Sequence, residues 1–226
     1  MKTEPDPDMP SPEPGAQSQE PNTQAEFTEK TALAFFSRHL DELKWKYHRN
    51  EDRPSLFSGF NGTNAQWDFN LTARETSGGL FQLAVNSFIP NKALPPRRPA
   101  AMELLTRINF ELALGCFEMN LADGEIRFRT SVAIPAPTLS ALIPFSASDG
   151  EKVAQPDEVS SEGVVGVRCR IWSGIVEHLL RSNICIVDER YPQIMAVLYA
   201  GVTPEEALKP KEKKTGVPTE PRFEMN

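Results

Sequence analysis

The strongest constraint on the fold of this chain is a hairpin between Cys116 and Ile134. Asp123-Gly124 stands between two runs that alternate apolar and polar residues, and Gly supplies the positive φ that a tight two-residue turn demands. Counting outward from that turn pairs Leu121 with Ile126, Met119 with Phe128 and Phe117 with Thr130, which makes one mostly apolar face. The opposite face sets Asn120 against Arg127 and Glu118 against Arg129. The apolar face needs a covering layer of other elements.

Those elements are legible on both sides of the hairpin. Leu33, Phe36, Leu40 and Leu43 recur at helical spacing, Phe35 widens the stripe, and Thr28 is placed to cap the start. Trp45 and Tyr47, then Leu56, Phe57 and Phe60, sit among turn residues as short strands would. Trp67, Phe69, Leu71 and Ala73 alternate with polar neighbours, and after Ser77-Gly78-Gly79 the return strand carries Phe81, Leu83 and Val85. A Pro-rich crossing leads into a second helix from about Ala100 to Leu114, with Gly115 as its stop. A third helix is expected over Val164 to Val187, bearing Ile171, Ile175, Leu179 and Ile186, with Trp172 and Val176 on its flank. Asp188 to Tyr191 reads as a break, Pro192 as the first turn of a fourth helix stopped by Gly201, and Thr203-Pro204-Glu205-Glu206 as a capping box. The fold class is therefore α+β: a curved antiparallel sheet of about five strands covered by helices, in the order α-β-β-β-α-β-β-α-α.

Composition sets the boundaries. The 226 residues suit one domain with appendages. Residues 1–25, with six Pro among acids, are expected to be a disordered acidic tail; 26–208 form a single domain with a mobile acidic loop at about 136–163; 209–226 form a disordered basic tail. Of the net charge of −7, residues 1–26 contribute −5, residues 146–163 contribute −4 and residues 209–226 contribute +2, so the rest is neutral. A neutral core lacks the basic stripe that neutralises phosphates, so no nucleic-acid partner is expected. The run Lys44, Lys46, Arg49, Arg53 reads as a solvated face. Met195 to Val202, the longest apolar stretch, falls far short of the ~20 residues of a membrane span. With no secretion signal and three Cys at unhelpful spacings, a cytoplasmic protein is expected.

The residues that could carry chemistry do not form a known pattern. His39, His48 and His178 fall in different elements, Cys116, Cys169 and Cys185 lack CxxC spacing, and neither a phosphate-cradling loop nor a nucleophile elbow is present. No catalytic site, metal or cofactor is expected. Asn109, at the edge of the second helix's apolar face, reads as a partner for backbone groups near the sheet. Arg127 and Arg129 offer a charged stripe to an acidic partner, though cross-strand pairing is the simpler account. Trp172 suits a subunit or partner contact.

The stretch from Arg107 to Arg129, with Asn109, Gly115, Phe117 and Gly124, together with the closing residues Asp188, Pro192, Gly201 and Glu206, resembles the bacterial YbjN family. The resemblance implies a fold similar to type III secretion chaperones and a role in sensory transduction regulation, with no recognised active site. The expected function is thus a non-catalytic cytoplasmic interaction module, a signalling regulator or chaperone-like adaptor that binds another protein or a peptide segment. A homodimer through the Trp172 and Val176 flank is a further expectation. The alternative is an enzyme or small-ligand binder whose Asn109, Arg129, Asp188 and a His or Cys converge only in the fold.

Overall fold

The period-two segments build one six-stranded antiparallel sheet in the order β1-β2-β3-β4-β6-β5. The computed structural model describes residues 28–50, 52–76, 78–138 and 164–210, without the side chains of Phe35 and of residues 164–172. The expectations for both tails, for most of the acidic loop, and for the Phe35, Ile171 and Trp172 side chains lie outside the described residues. The strands are β1 (His48–Asn50), β2 (Ser55–Asn61), β3 (Gln66–Thr76), β4 (Leu80–Phe88), β5 (Cys116–Met119) and β6 (Ile126–Pro135). The helices are α1 (Glu29–Glu42), α2 (Arg98–Glu111), α3 (Val164–Tyr199) and α4 (Pro204–Leu208), and a 3-10 turn at Pro95–Arg97 leads into α2. The class is α+β. The sheet has one strand more than expected, because His48–Asn50 pairs with β2 while Trp45 and Tyr47 stay in the connection and pack on the core.

One face of the sheet carries the core. Phe69, Leu71, Leu83, Val85, Ile126 and Phe128 are essentially inaccessible to solvent. Against them pack Leu33, Phe36 and Leu40 of α1, Leu104 and Ile108 of α2, and Val176, Leu179, Ile184 and Val187 of α3. Each such Leu, Ile or Phe side chain contributes roughly 1.5–3 kcal/mol by leaving water. Val176 is thus core and offers no flank to a partner, and Leu43 is exposed because α1 has already ended.

Thr28 caps α1 by accepting from the Thr31 amide at 3.2 Å. At the other end the Trp45 amide returns to the Leu40 carbonyl and the Lys44 amide to that of Asp41. Lys44 holds φ 58°, the left-handed position such a helix end requires. α2 stops at Glu111, before Gly115, so Gly115 is no helix stop. It sits at φ 80° where an added Cβ would lie 2.6 Å from the Phe128 ring and 2.8 Å from the Arg129 carbonyl oxygen.

The hairpin keeps its faces but not its register. Met119 pairs with Ile126, Glu118 with Arg127, Phe117 with Phe128 and Cys116 with Arg129. A longer connection displaces the pairing by two residues: the Asn120 amide donates to the Glu125 carbonyl, the Gly124 amide to that of Asn120, and the Asn120 side chain accepts from Ala122. A shift of two preserves the pleat, so Phe117, Met119, Ile126 and Phe128 stay on the face assigned to them, while Leu121, expected opposite Ile126, falls in the turn and is exposed.

α3 is continuous through Pro192, where a break was expected. Proline removes the bond to the carbonyl four residues back. That carbonyl belongs to Asp188, and it accepts instead from the Asn64 side-chain amide at 3.0 Å. The orphaned acceptor is satisfied from the β2–β3 turn, so the helix continues.

Candidate interaction face

The opposite face of the sheet carries no packed helix among the described residues. His48, Phe57, Asn70, Asn86, Arg129 and Cys116 stand opposite one another in a single row that crosses all six strands. The next row brings Gly59, Asp68, Phe88, Arg127 and Glu118 together. Strand alternation puts these residues outward wherever Phe69, Val85 and Phe128 point inward. At the centre, the Asn86 amide donates to the Asn70 side-chain oxygen at 2.8 Å, while Phe57 keeps 37% of its surface in solvent. Among the described residues the face is a broad polar strip with aromatic patches and no helix packed on it.

The charged end of the strip is built by β5 and β6. Glu118 accepts from Arg127 Nε at 2.6 Å and, through its other oxygen, from Arg129. Burial alone would raise the Glu118 carboxyl, but the hydrogen bonds from Arg129 and Arg127 overcome it and hold the group below the usual carboxylate range. Two guanidiniums sharing one carboxylate leave a net positive charge there. Cys116 lies alongside, and burial together with the nearby Glu118 carboxylate pushes its thiol up. A nucleophilic cysteine needs the reverse.

The outer edge of β5 is closed by α2. Asn109 donates from its side-chain amide to the Phe117 carbonyl at 2.9 Å and accepts the Phe117 amide at 2.7 Å. A single side chain thereby makes the two bonds that a neighbouring strand would make. Phe117 itself is buried with its ring 4.6 Å from that of Phe128. At the hairpin tip Gly124 has φ 79°, and a Cβ there would fall 2.0 Å from the Ala93 carbonyl oxygen. The turn is therefore clamped onto the segment that enters α2.

Asp188 serves the far end of the molecule. Its carboxylate accepts the Asn64 amide at 2.8 Å and the Thr63 amide at 3.1 Å. Gly62 beside it has no room for a Cβ, which would come within 2.3 Å of that carboxylate. Gly201, at φ 72°, follows the end of α3, and Glu206 completes the capping box with Thr203. The Thr203 hydroxyl and amide hold the Glu206 carboxyl down.

Asn109, Arg129 and Asp188 thus lie in three different contacts, at the β5 edge, on the open strip and on the β2–β3 turn. Arg129 has Cys116 beside it. No group of three metal-ligating side chains gathers among the described residues, and no helix there is long and apolar enough to cross a membrane.

A family model matches residues 35–143, which run from α1 through the full hairpin: YbjN, described as "Putative bacterial sensory transduction regulator". Over this stretch the chain is similar to the YbjN family. The stretch contains Asn109, Gly115, Phe117, Gly124, Arg127 and Arg129. The YbjN match ends before α3, so Asp188, Pro192, Gly201 and Glu206 lie beyond it. No curated protein matches the chain. The YbjN description carries the coarse role of a regulator.

Sequence reasoning had singled out Arg127 and Arg129 but not Asn70, Asn86, Phe57 or Phe88. Each of these is an ordinary polar or aromatic residue in its own strand, and only the β4–β6 pairing brings them into register with the arginines. Asn183 was missed too. It lies fully buried on α3 and donates to the carbonyls of Val85 and Phe128 while accepting from Ser87, which in turn accepts from Trp67. Thr130 extends the network to the Leu179 carbonyl. This chain of bonds fixes the seat of α3 on the sheet.

Proposed function

We propose that this chain is a non-catalytic cytoplasmic interaction module, a signalling regulator or chaperone-like adaptor, whose open sheet face receives another protein or an extended segment of one. The observation that supports the reading most directly is the two-row strip across the strands, with Phe57 and Phe88 as apolar contacts and Arg127, Arg129 and Glu118 as its charged end. Such a surface combines the aromatic and arginine groups that dominate protein contacts. The β5 edge is a poorer site for strand addition, since Asn109 already occupies the Phe117 backbone. The Cys116 cluster weighs against an enzyme, because its thiol is held protonated.

The test is affinity capture from native lysate with the full chain, read by mass spectrometry, beside an Arg127→Ser/Arg129→Ser variant and a Phe57→Ser variant. The reading expects one or more proteins retained by the wild type and lost by both variants at unchanged circular dichroism. Equal recovery by all three would remove the sheet face from consideration.

A further inference from the structure

An exposed aromatic side chain stands away from the sheet strip. Phe110, at the end of α2, keeps 92% of its surface in solvent, and Met102, which precedes it on the same i, i+4 ridge of the helix, keeps 44%. Beside the ring runs an open groove of about 660 Å³, lined by Thr106 and Arg107 of α2 on one side and by Glu205, Leu208 and Lys209 on the other. A projecting ring and a hollow thus lie next to each other on one surface, and a large apolar group so exposed marks a contact.

That juxtaposition selects the occupant. A two-fold contact presents the same patch from both molecules, so a knob beside a hole is complementary to itself: each ring enters the hollow of the other copy. The charges agree with this. Arg107 and Lys209 share the rim with Glu111 and Glu205, and Arg107 is held by Glu103 at 2.8 Å and by Glu205 at 3.0 Å. A rim of balanced charge selects neither a strongly acidic nor a strongly basic ligand, whereas a second copy meets it with the same balanced set. The area fits as well. A phenyl ring buries ~150–250 Å², and in a two-fold contact each copy supplies both a ring and a socket. With Met102 and Leu208 alongside, about 500 Å² is covered on each copy, which falls among weak, reversible complexes of less than about 600 Å² per partner.

We propose that two copies of this chain associate through the α2–α4 groove about a two-fold axis, the Phe110 ring of each seated against Thr106 and Leu208 of the other. The dimer is closed and reversible, with a dissociation constant in the micromolar range. This inference is independent of the sheet face.

Sedimentation equilibrium of the full chain over a micromolar concentration series tests it. The weight-average mass should rise from that of one chain to that of two and hold there. Phe110→Ala removes two rings from each dimer, so the dissociation constant should rise roughly a hundredfold. Thr106→Arg fills the groove while leaving the ring in place, and should break the dimer as well. Phe110→Trp should keep it, and so should Phe57→Ser on the sheet strip. Phe110 and Thr106 are exposed, so their replacement leaves the fold intact, as circular dichroism would verify. A wild type that remains a single chain throughout the series overturns the proposal. So does a dimer that survives Phe110→Ala or Thr106→Arg, or one that is lost in Phe57→Ser, since each places the contact elsewhere. A mass that climbs past two chains rules out the closed two-fold and overturns it too.

Discussion

Asn183 shows how much a single polar residue can specify. Its amide bonds two strand carbonyls and the Thr130 hydroxyl in a fully buried site, so each group is satisfied only if α3 sits in one register. An Asn183→Asp substitution would place carboxylate oxygens against the Val85 and Phe128 carbonyl oxygens. The folded-state pKa of that carboxyl must then rise above its unfolded value of about 3.9. The unfolded state releases its proton first, so the variant loses stability as pH rises from about 4 towards the folded pKa. Denaturation midpoints should be close to the wild type at pH 3.5 and fall progressively to pH 7, with about 1.4 kcal/mol lost for each unit of pKa shift. A pH-independent deficit would contradict this. Asn183 sits on the apolar stripe of α3 between Leu180 and Ile184, and its partners, the Val85 and Phe128 carbonyls, belong to strands far away in the sequence. Asn109 was legible because it stands at the end of a helix beside a strand whose backbone needs partners.

Elements were legible where one face alone is buried. β3 and α1 have clean apolar periods, and the structure keeps them. The reading went wrong at Asp188 to Pro192, because a distant turn supplies the donor that proline lacks. A double-mutant cycle makes that explicit. Asn64→Ala should cost about 1–2 kcal/mol in the wild type. In a Pro192→Ala background, where the new amide can reclaim the Asp188 carbonyl, it should cost less than half as much; equal costs in chemical denaturation would disprove the compensation. The packing of α1 carries a second prediction. Among the described residues the buried His39 has no hydrogen-bond partner on either ring nitrogen, and burial pulls its pKa below 6.5 despite Glu42 on its own helix and Glu177 on α3. The unfolded chain therefore binds the proton first, so the neutral ring's contribution is complete above pH 6.5 and is lost as pH falls from 6.5 towards the folded value. Stability should drop between pH 7.5 and pH 5 in the wild type, and His39→Leu should flatten that part of the profile.

At the scale of the molecule, the neutral core and the α+β class followed from composition and pattern, whereas the six-strand order did not. Turn chemistry at Asn120 to Glu125 moved the hairpin register by two, and only parity kept the faces right. The same scale governs self-association. Asn109→Ala would uncover the amide and carbonyl of Phe117 at the sheet edge, lowering stability by about 1–3 kcal/mol. It should also raise the mean mass in light scattering as concentration increases, which the wild type should not match.

The covering of the core face by a helix late in the chain has a consequence for synthesis. All six strands have been made once Pro135 is added, yet α3 ends only at Tyr199. At about 5–20 residues per second, the ribosome needs roughly 3 to 13 seconds to make the rest. Through that interval the nascent sheet has Phe128 and Val85 without the helix that covers them, so a cell depleted of ribosome-bound chaperones should lose this protein to aggregates before it is released.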